Sequence, residues 1–223
     1  MHTPFQEFFT QILLSKDIPP TTSHTGEVPL PLPIAQGLAH EAPAIRRAAL
    51  LALCTETSTE KSVDLIGILE KAFQDTSPLV RREAAEQAGR HPQAAKNLLP
   101  LLEKQLLLDE EPLCRESAAF ALGETGTSAG AKALIHSLEQ ERTSLVREAI
   151  AGGLGAIGAP CSLSAVLSLC QKEKPAVRRR ALVTLAAFSG DQVENAIEHA
   201  KNDRDRHVRE TAEWLARPEY EEQ

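Results

Sequence analysis

A short motif occurs six times along the chain and constrains the fold more than any other feature. Its clearest copy is Ser77–Ala85, in which the apolar residue Val80 precedes an arginine. The corresponding arginines of the six copies are Arg46, Arg81, Arg115, Arg147, Arg178 and Arg209. The intervals between them are 35, 34, 32, 31 and 31 residues, which leaves room in each unit for two helices of about a dozen residues and two short turns. The chain is therefore predicted to be a repeat protein.

Both helices of a unit can be recognised from their residue patterns. The second helix begins near the motif, because proline suits a first helical turn and stands three residues before the arginine in four copies. The first helix shows an apolar stripe, of which Ala131, Leu134, Ile135 and Leu138 are one example. In the third unit, Pro100 interrupts a leucine-rich stretch and predicts a kink or a new start of the helix. Aromatic residues make up 4% of the chain and alternating β-branched runs are rare, so the fold class is predicted to be all-α.

Glycines punctuate the second helices. Gly89, Gly123 and Gly155 are predicted to terminate them, because glycine just past a helix tolerates the left-handed conformation. Gly152 and Gly153 lie inside a predicted helix, where each costs about 1 kcal/mol relative to alanine. They either permit a close approach of another helix or make this the soft point of the array.

The repeats divide the chain into four predicted segments. These are an amphipathic capping helix at 1–16, a proline-rich connector at 17–33, the solenoid at 34–217 and an acidic tail at 218–223. The first segment carries Phe5, Phe8, Phe9, Ile12 and Leu13 on one face, as expected of a unit that covers the open end of a repeat array. The alternative is a docking helix for a partner or a membrane surface, although this segment is poor in lysine and arginine.

The repeats resemble a known family. Paired helices with the pattern P-x-V-R-x-x-A-x-x-x-L-G in the second helix are similar to HEAT repeats, and the shorter units resemble the subclass named after phycobilisome lyases. The resemblance implies a right-handed α-solenoid of about six helix pairs whose second helices line the concave side. The family includes scaffolds, bilin lyase subunits, phycobiliprotein-degradation factors and a metal-dependent hydroxylase.

An ion-pair ladder is predicted along the turns between the paired helices. The helix dipole disfavours an arginine in a first turn, so an arginine that recurs there is expected to have a partner. Acidic residues stand six positions before the arginine in four copies, at Asp75, Asp109, Glu141 and Asp203. In the other two copies Glu41 and Glu173 follow that position directly. Bidentate geometry favours arginine over lysine for such pairs, and we assign the ladder a structural role.

A binding face is predicted on the opposite side of the second helices from the core. Five positions after the arginine stand Leu51, Glu86, Phe120, Gly152, Val183 and Trp214, where a solvated face would be polar. One position after it stand Arg47, Arg82, Glu116, Glu148, Arg179 and Glu210. Apolar anchors beside charges are typical of a protein-binding patch. Alternatively, Trp214 packs against the tail, beside Tyr220, and the other apolar residues are isolated.

The basic run from Lys172 to Arg180 is the one local positive patch. It is either a solvated turn or an anchor for an acidic partner or a bilin propionate, and Arg180 is included in the predicted binding face. The formal charge of −7 argues against a duplex-binding protein, and no apolar run could span a bilayer.

Few residues of the sequence indicate catalysis or metal binding. The resembling hydroxylase carries His-Glu pairs within its second helices, whereas His40-Glu41 is the single pair in this sequence and precedes the helix, so we expect no metal. No P-loop, nucleophile elbow or zincin motif occurs. The cysteines Cys54, Cys114, Cys161 and Cys170 form no C-x-x-C pair and no secretory signal opens the chain, so we expect buried free thiols in the cytoplasm. Spacing places Cys161 and Cys170 on opposite faces of one helix.

The sequence thus favours a non-enzymatic scaffold or assembly factor that binds protein partners through the concave face, without a cofactor. The alternative is a bilin lyase subunit or a phycobiliprotein-processing factor, which would take a bilin and a phycobiliprotein.

Overall fold

The fold is a succession of helix pairs. The structure is a computed structural model that describes residues 32–56 and 64–217, and within these residues it contains α-helices, two short 3-10 helices and no strand. The predicted capping helix, most of the connector and the acidic tail lie outside the described residues. The first two pairs are α1 (Leu32–Leu38) with α2 (Pro43–Glu56) and α3 (Leu65–Phe73) with α4 (Pro78–Arg90). In the third pair, α5 (Pro92–Asn97) and α6 (Leu99–Leu108) together form the first helix and α7 (Pro112–Glu124) is the second. The last three pairs are α8 (Ser128–Ser137) with α9 (Ser144–Ile157), α10 (Leu163–Lys172) with α11 (Pro175–Thr184), and α12 (Asp191–Ala200) with α13 (Arg206–Leu215). The all-α prediction is confirmed.

Proline positions explain where several of these helices begin. Pro78, Pro112 and Pro175 are each the first residue of a second helix, where the missing amide proton costs no hydrogen bond. Of the two alternatives predicted at Pro100, a kink or a new start, the structure shows the new start: the first helix of the third pair is broken at Leu98, and α6 begins at Leu99 with Pro100 in its first turn. Leu98 ends α5 and precedes α6, and its side chain is buried.

The chain divides into two compact units, Met1–Ala88 (unit 1) and Gly89–Gln223 (unit 2). In unit 1, the core is formed by apolar residues of α1 to α4, among them Ile34, Leu50, Leu69 and Val80. The short helix α1 packs on α2.

Unit 2 has two layers of helices. The second helices α7, α9, α11 and α13 contact one another in that order, and each also packs on its own first helix. The first helices form the other layer, in which α6 contacts α8 and α10 contacts α12. The core between the layers contains Leu102, Leu122, Leu134, Ile150 and Leu182, all fully buried. One side of each second helix is thus left uncovered by the first helices.

The predicted role of three glycines is wrong. Gly89, Gly123 and Gly155 lie inside α4, α7 and α9, and none is among the glycines with positive φ. The left-handed glycines among the described residues are Gly126, Gly158 and Gly190, and Gly158 caps α9 at φ 61°. Glycine within a second helix serves packing instead of termination.

Helices α7 and α9 approach each other closely where Gly123 faces Gly153. A Cβ placed on Gly123 would lie 2.7 Å from the Cα of Gly153, which is closer than real Cβ atoms come. Helix α9 nevertheless continues through Gly152 and Gly153 to Ile157. The sequence left two interpretations of the Gly152-Gly153 run open, a close approach of another helix or a soft point of the array. The structure shows the close approach of α7 to α9 at Gly153.

Candidate functional site

An arginine fork holds the turn between the two helices of a repeat, and Arg178 shows it most fully. Its Nε and Nη2 donate to the two carboxylate oxygens of Asp203 at 2.8 and 2.6 Å, and its Nη1 donates to the Glu173 carbonyl at 2.6 Å. The side chain is 2% exposed. Two parallel bonds match the planar guanidinium to the carboxylate, which lysine cannot reproduce. Arg178 therefore ties its own turn to the turn of the following repeat.

The same fork is made by Arg46 in unit 1 and by Arg115 in unit 2. Arg46 binds both oxygens of Asp75 at 2.7 Å, and Arg115 binds Glu141 at 2.7 and 3.3 Å. In both cases the Nη1 group donates to two carbonyls of the arginine's own turn. Each carboxylate comes from the next repeat, so the pairs link successive turns.

Arg147 makes a one-nitrogen version of the contact. Its Nη2 donates to Glu173 at 2.5 Å, while its Nη1 donates to the Leu138 and Glu141 carbonyls. Glu173 thus takes the place of Lys172, which stands at the acidic position of that repeat. The arginine forks and this bond place predicted ladder residues in direct contact.

Three further ladder residues also hold turns through backbone groups. Arg81 Nη1 donates to the Asp75 and Thr76 carbonyls at 3.1 Å, and Arg209 Nη1 donates to the Asp203 carbonyl at 2.8 Å. Asp109 accepts from the Glu111 amide at 3.0 Å.

The ladder carboxylates also hold their own turns. Asp75 accepts from the Ser77 amide and Asp203 from the Asp205 amide, both at 2.8 Å. The hydrogen bond from Arg46 lowers the pKa of Asp75 below its ordinary value, and Arg178 does the same for Asp203. These carboxylates are therefore held in their charged form.

At Glu141 two opposing effects act on the carboxyl group. Burial raises the pKa of Glu141, but the hydrogen bonds from Arg115 and from the Thr143 amide outweigh it, so the pKa is lowered overall. The net effect again favours the charged carboxylate.

The outward face of the second helices in unit 2 carries the predicted apolar anchors. Phe120, Val183 and Trp214 are 53%, 44% and 63% exposed, and they project from α7, α11 and α13. The Cδ1 atom of Phe120 lies 3.3 Å from the position that a Cβ on Gly89 would take, so its ring packs close to that glycine. Each anchor is held on a helix whose opposite side is buried in the core. Below, "the outward face" means this surface of α7, α9, α11 and α13.

Two further anchors were missed by the sequence argument. Leu113 and Leu145 are 46% and 40% exposed and stand two positions before the ladder arginines of α7 and α9. Residues seven apart on a helix share a face, so Leu113 lies on the same side as Phe120. The signal was present in the repeats as leucine at this position in three copies, including Leu79 of unit 1, which is 50% exposed.

Charged side chains lie between these apolar residues. Glu116 and Glu148 are half-buried and Arg179 is exposed, and none of the three forms a hydrogen bond or ion pair with its side chain among residues 32–56 and 64–217. Glu210, in contrast, accepts from Arg206 at 2.7 Å on its own helix. Glu116, Glu148 and Arg179 therefore differ from the ladder arginines of the same helices, which are paired.

The side chain of Arg180 fills the space left by the missing side chain of Gly152. Its guanidinium lies over the backbone of Gly152, with Nη2 only 2.5 Å from the position that a Cβ would take. Its side chain has no acidic partner in the part of the chain that the structure describes. The positive charge of α11 thus extends across to α9.

The predicted face residues of unit 1 behave differently. Arg47 donates to Glu83 at 2.8 Å, and Glu83, which is buried, also accepts from Gln87 at 2.6 Å. Arg82 donates to Glu86 at 2.7 Å. Leu51, the apolar member of this set, is half-buried. The charges of this unit are largely satisfied within it, and the role of Glu83 was not foreseen from the sequence.

The cysteines depart from expectation at one position. Cys114 and Cys170 are buried and neither forms a disulfide, and burial raises the pKa of Cys170 to about 12. Cys161 is exposed and lies in the 3-10 turn Pro160–Ser162 ahead of α10, so it is neither buried nor on one α-helix with Cys170. The expectation failed because the chain turns at Pro160, which periodicity alone does not reveal. The side chain of Cys54 lies outside the described residues.

The described residues contain neither a metal-binding cluster nor a membrane-spanning helix. No group of three or more His, Cys, Asp or Glu side chains there could hold a metal ion. Among the described helices, none has the length and apolar composition needed to cross a bilayer.

Comparisons with known proteins agree with this architecture. The family model for HEAT repeats matches residues 31–123, 67–154 and 131–217, which together cover most of the chain. The comparison with curated proteins found no match.

Several solved structures are similar in fold. The Escherichia coli protein YibA has a TM-score of 0.61 at 13% identity, with 95% of this chain and 73% of that chain covered. The complex of CpcE and CpcF of phycocyanin lyase from Nostoc has a TM-score of 0.60 at 20% identity, with coverage of 88% and 79%. A designed armadillo repeat protein in complex with the peptide (KR)4 has a TM-score of 0.53 at 17% identity, with coverage of 81% and 95%.

Proposed function

The chain belongs to the HEAT-repeat family, and we propose that it is a non-enzymatic protein-binding scaffold or assembly factor that binds its partner on the outward face. In HEAT solenoids the second helices line the concave side, which is where this face would lie. HEAT and armadillo folds are typical of protein binding, and the fold is shared with a designed peptide binder.

One observation carries the proposal. Among residues 89–217, the described part of unit 2, six large apolar side chains are exposed, and five of them lie on the outward face: Leu113, Phe120, Leu145, Val183 and Trp214. Exposed apolar residues scattered at random need no explanation, whereas a contiguous set marks an interaction site. Aromatic anchors surrounded by charges are typical of interface hot spots.

A pull-down from the native host tests the proposal. Wild-type bait is compared with the double variant Phe120→Asp, Trp214→Asp, and bound proteins are quantified by mass spectrometry. Loss of two anchors should reduce recovery of the partner about tenfold or more, because each hot-spot residue contributes about 2 kcal/mol or more. Circular dichroism verifies that the variant is folded.

Leu108→Asp is the matched control. Leu108 is 69% exposed but ends the first helix α6, so it lies off the outward face. Recovery that stays unchanged in the double variant, or that falls equally with Leu108→Asp, would refute this binding site.

A second candidate is a bilin lyase subunit or phycobiliprotein-processing factor. Its support is the fold shared with the CpcE–CpcF complex, together with the exposed basic side chains Lys174, Arg179 and Arg180, which could hold a bilin propionate. Co-expression with a phycobiliprotein and a bilin tests it. A coloured adduct, or release of bilin, is expected under this candidate and under no scaffold function.

A further inference from the structure

On three helices of the outward face, α7, α9 and α11, the charges without an ion pair are segregated by sign, whereas on α13 the acidic Glu210 accepts from Arg206 of its own helix. Glu116 on α7 and Glu148 on α9 are acidic, whereas Arg179 and Arg180 on α11 are basic. None of these side chains has an ion-pair partner among the described residues. A solvated surface has no need of such order, but a partner with the opposite order would be held in one register.

The exposed leucines and aromatic residue flank the acidic end. Leu113 and Phe120 lie on either side of Glu116 along α7, and Leu145 precedes Glu148 on α9. At the basic end Val183 lies one helical turn beyond Arg179 on α11. Each charge is therefore next to an apolar contact, where water is more easily excluded and the pairing is stronger.

The spacing of the helices sets the spacing of the partner's charges. Packed helices lie about 10 Å apart, so Glu116 and Arg179, which are two helices apart, are separated by about 20 Å. An extended chain rises about 3.3 Å per residue and covers that distance in about six residues. A basic and an acidic side chain on one extended segment can thus meet the two ends together.

We propose that the partner is an extended protein segment with a basic end and an acidic end about six residues apart, which pairs with Glu116 and Glu148 at one end and with Arg179 and Arg180 at the other. This proposal rests on the proposed function and specifies the chemistry of its partner. Because Gly152 has no side chain, the Arg180 guanidinium lies against α9 there, with Nη2 2.5 Å from the position that a Cβ would take.

Labelled peptides of equal composition test the proposal. The segregated probe carries two lysines at one end and two glutamates about six residues further on, with leucine between them, and it is made in both chain directions. The interleaved probe alternates the same lysines and glutamates. Fluorescence anisotropy at moderate ionic strength should show about fivefold tighter binding of the segregated probe in its better direction, since each exposed pair contributes modestly.

A charge-reversal variant tests which residues of the protein pair with the charges of the peptide probe. Arg179→Glu, Arg180→Glu should abolish the preference and bind an all-lysine version of the probe more tightly than wild type does. Lys104→Glu, Lys132→Glu is the matched control, because both lysines are exposed on first helices and the change in net charge is the same. This control should retain the preference for the segregated probe.

The outcomes separate this proposal from the proposed function. Equal binding of both probes, with binding still lost in Phe120→Asp, Trp214→Asp, would overturn the charge order and leave the binding face standing. Absence of binding to either probe would also overturn the bipolar segment, and the pull-down would then decide independently whether the outward face binds a protein.

Discussion

At the scale of single residues, the ladder arginine is the main electrostatic contact between repeats. The fork of Arg178 satisfies a buried guanidinium with both oxygens of Asp203 and a carbonyl of its own turn. A buried charge that loses its partner is costly, because the remaining charge is left desolvated. The fork is therefore expected to be essential for stability even though an apolar pair of similar shape could also be stable.

Substitution Arg178→Ala should lower the free energy of unfolding by about 3 kcal/mol at neutral pH. The difference from wild type should shrink in acid. Arg178 holds the folded-state pKa of Asp203 below its unfolded value of about 3.9, so this stabilisation is present above that pH and is lost as pH falls through the lower folded-state pKa. Urea unfolding between pH 7 and about pH 3 measures both effects.

Arg209→Ala provides the control for that measurement. Arg209 occupies the same position in the last repeat and donates to the Asp203 carbonyl, with no carboxylate partner within the described residues. Its loss should cost about 1 kcal/mol, as for one ordinary hydrogen bond. Equal costs for the two substitutions, or a difference that does not narrow in acid, would contradict the assignment of the fork.

The sequence predicted the ladder positions but only part of their geometry. Recurrence of arginine showed that a partner was needed, and the acidic column supplied candidates. That Asp75 and Asp203 come from the following repeat and also accept a turn amide depends on how repeats stack. The buried Glu83, which binds Arg47 and Gln87, stands at a position where no other copy of the motif has a glutamate, so no column could reveal it.

At the scale of helices, glycines set how closely the second helices approach. Their position near the end of each helix in the sequence suggested termination, but Gly123 and Gly153 face each other across α7 and α9. A sequence pattern locates a glycine along a helix and does not show whether a neighbouring backbone lies beside it. Gly152, one residue away, faces a flexible arginine instead.

Alanine substitutions should separate these two situations. Gly123→Ala places a Cβ 2.7 Å from the Gly153 backbone, which must move, so we expect a loss of about 2 kcal/mol or more in the free energy of unfolding. Gly152→Ala displaces the end of Arg180 alone and removes the cost of a glycine in a helix, so stability should stay the same or rise by up to about 1 kcal/mol. Thermal and urea unfolding of both variants would show whether the order is as stated; a Gly123→Ala protein as stable as wild type would exclude the close approach.

At the scale of the molecule, repetition made the architecture predictable and left the binding face uncertain. Each of the six copies of the motif predicts the same helix pair, so a weak pattern in one copy is compensated by the clearer patterns in the others. The outward positions differ between repeats because the fold does not constrain them. Their exposure had to come from the structure, which added Leu113 and Leu145 to the predicted anchors and showed that Arg47 and Arg82 pair with glutamates of their own unit.

The repeat architecture also predicts how far the effect of a destabilising substitution extends through unit 2. In stacked repeats each helix pair contacts its neighbours alone, so stability is close to a sum of local terms. Arg178→Ala should therefore speed amide hydrogen exchange most in α11, α12 and α13, which the fork joins, and least in α6 and α7, two repeats away. Exchange followed by mass spectrometry under native conditions resolves these segments. A uniform loss of protection from α6 to α13 would instead mean that unit 2 opens as one cooperative body, and the ladder would then act on the whole unit at once.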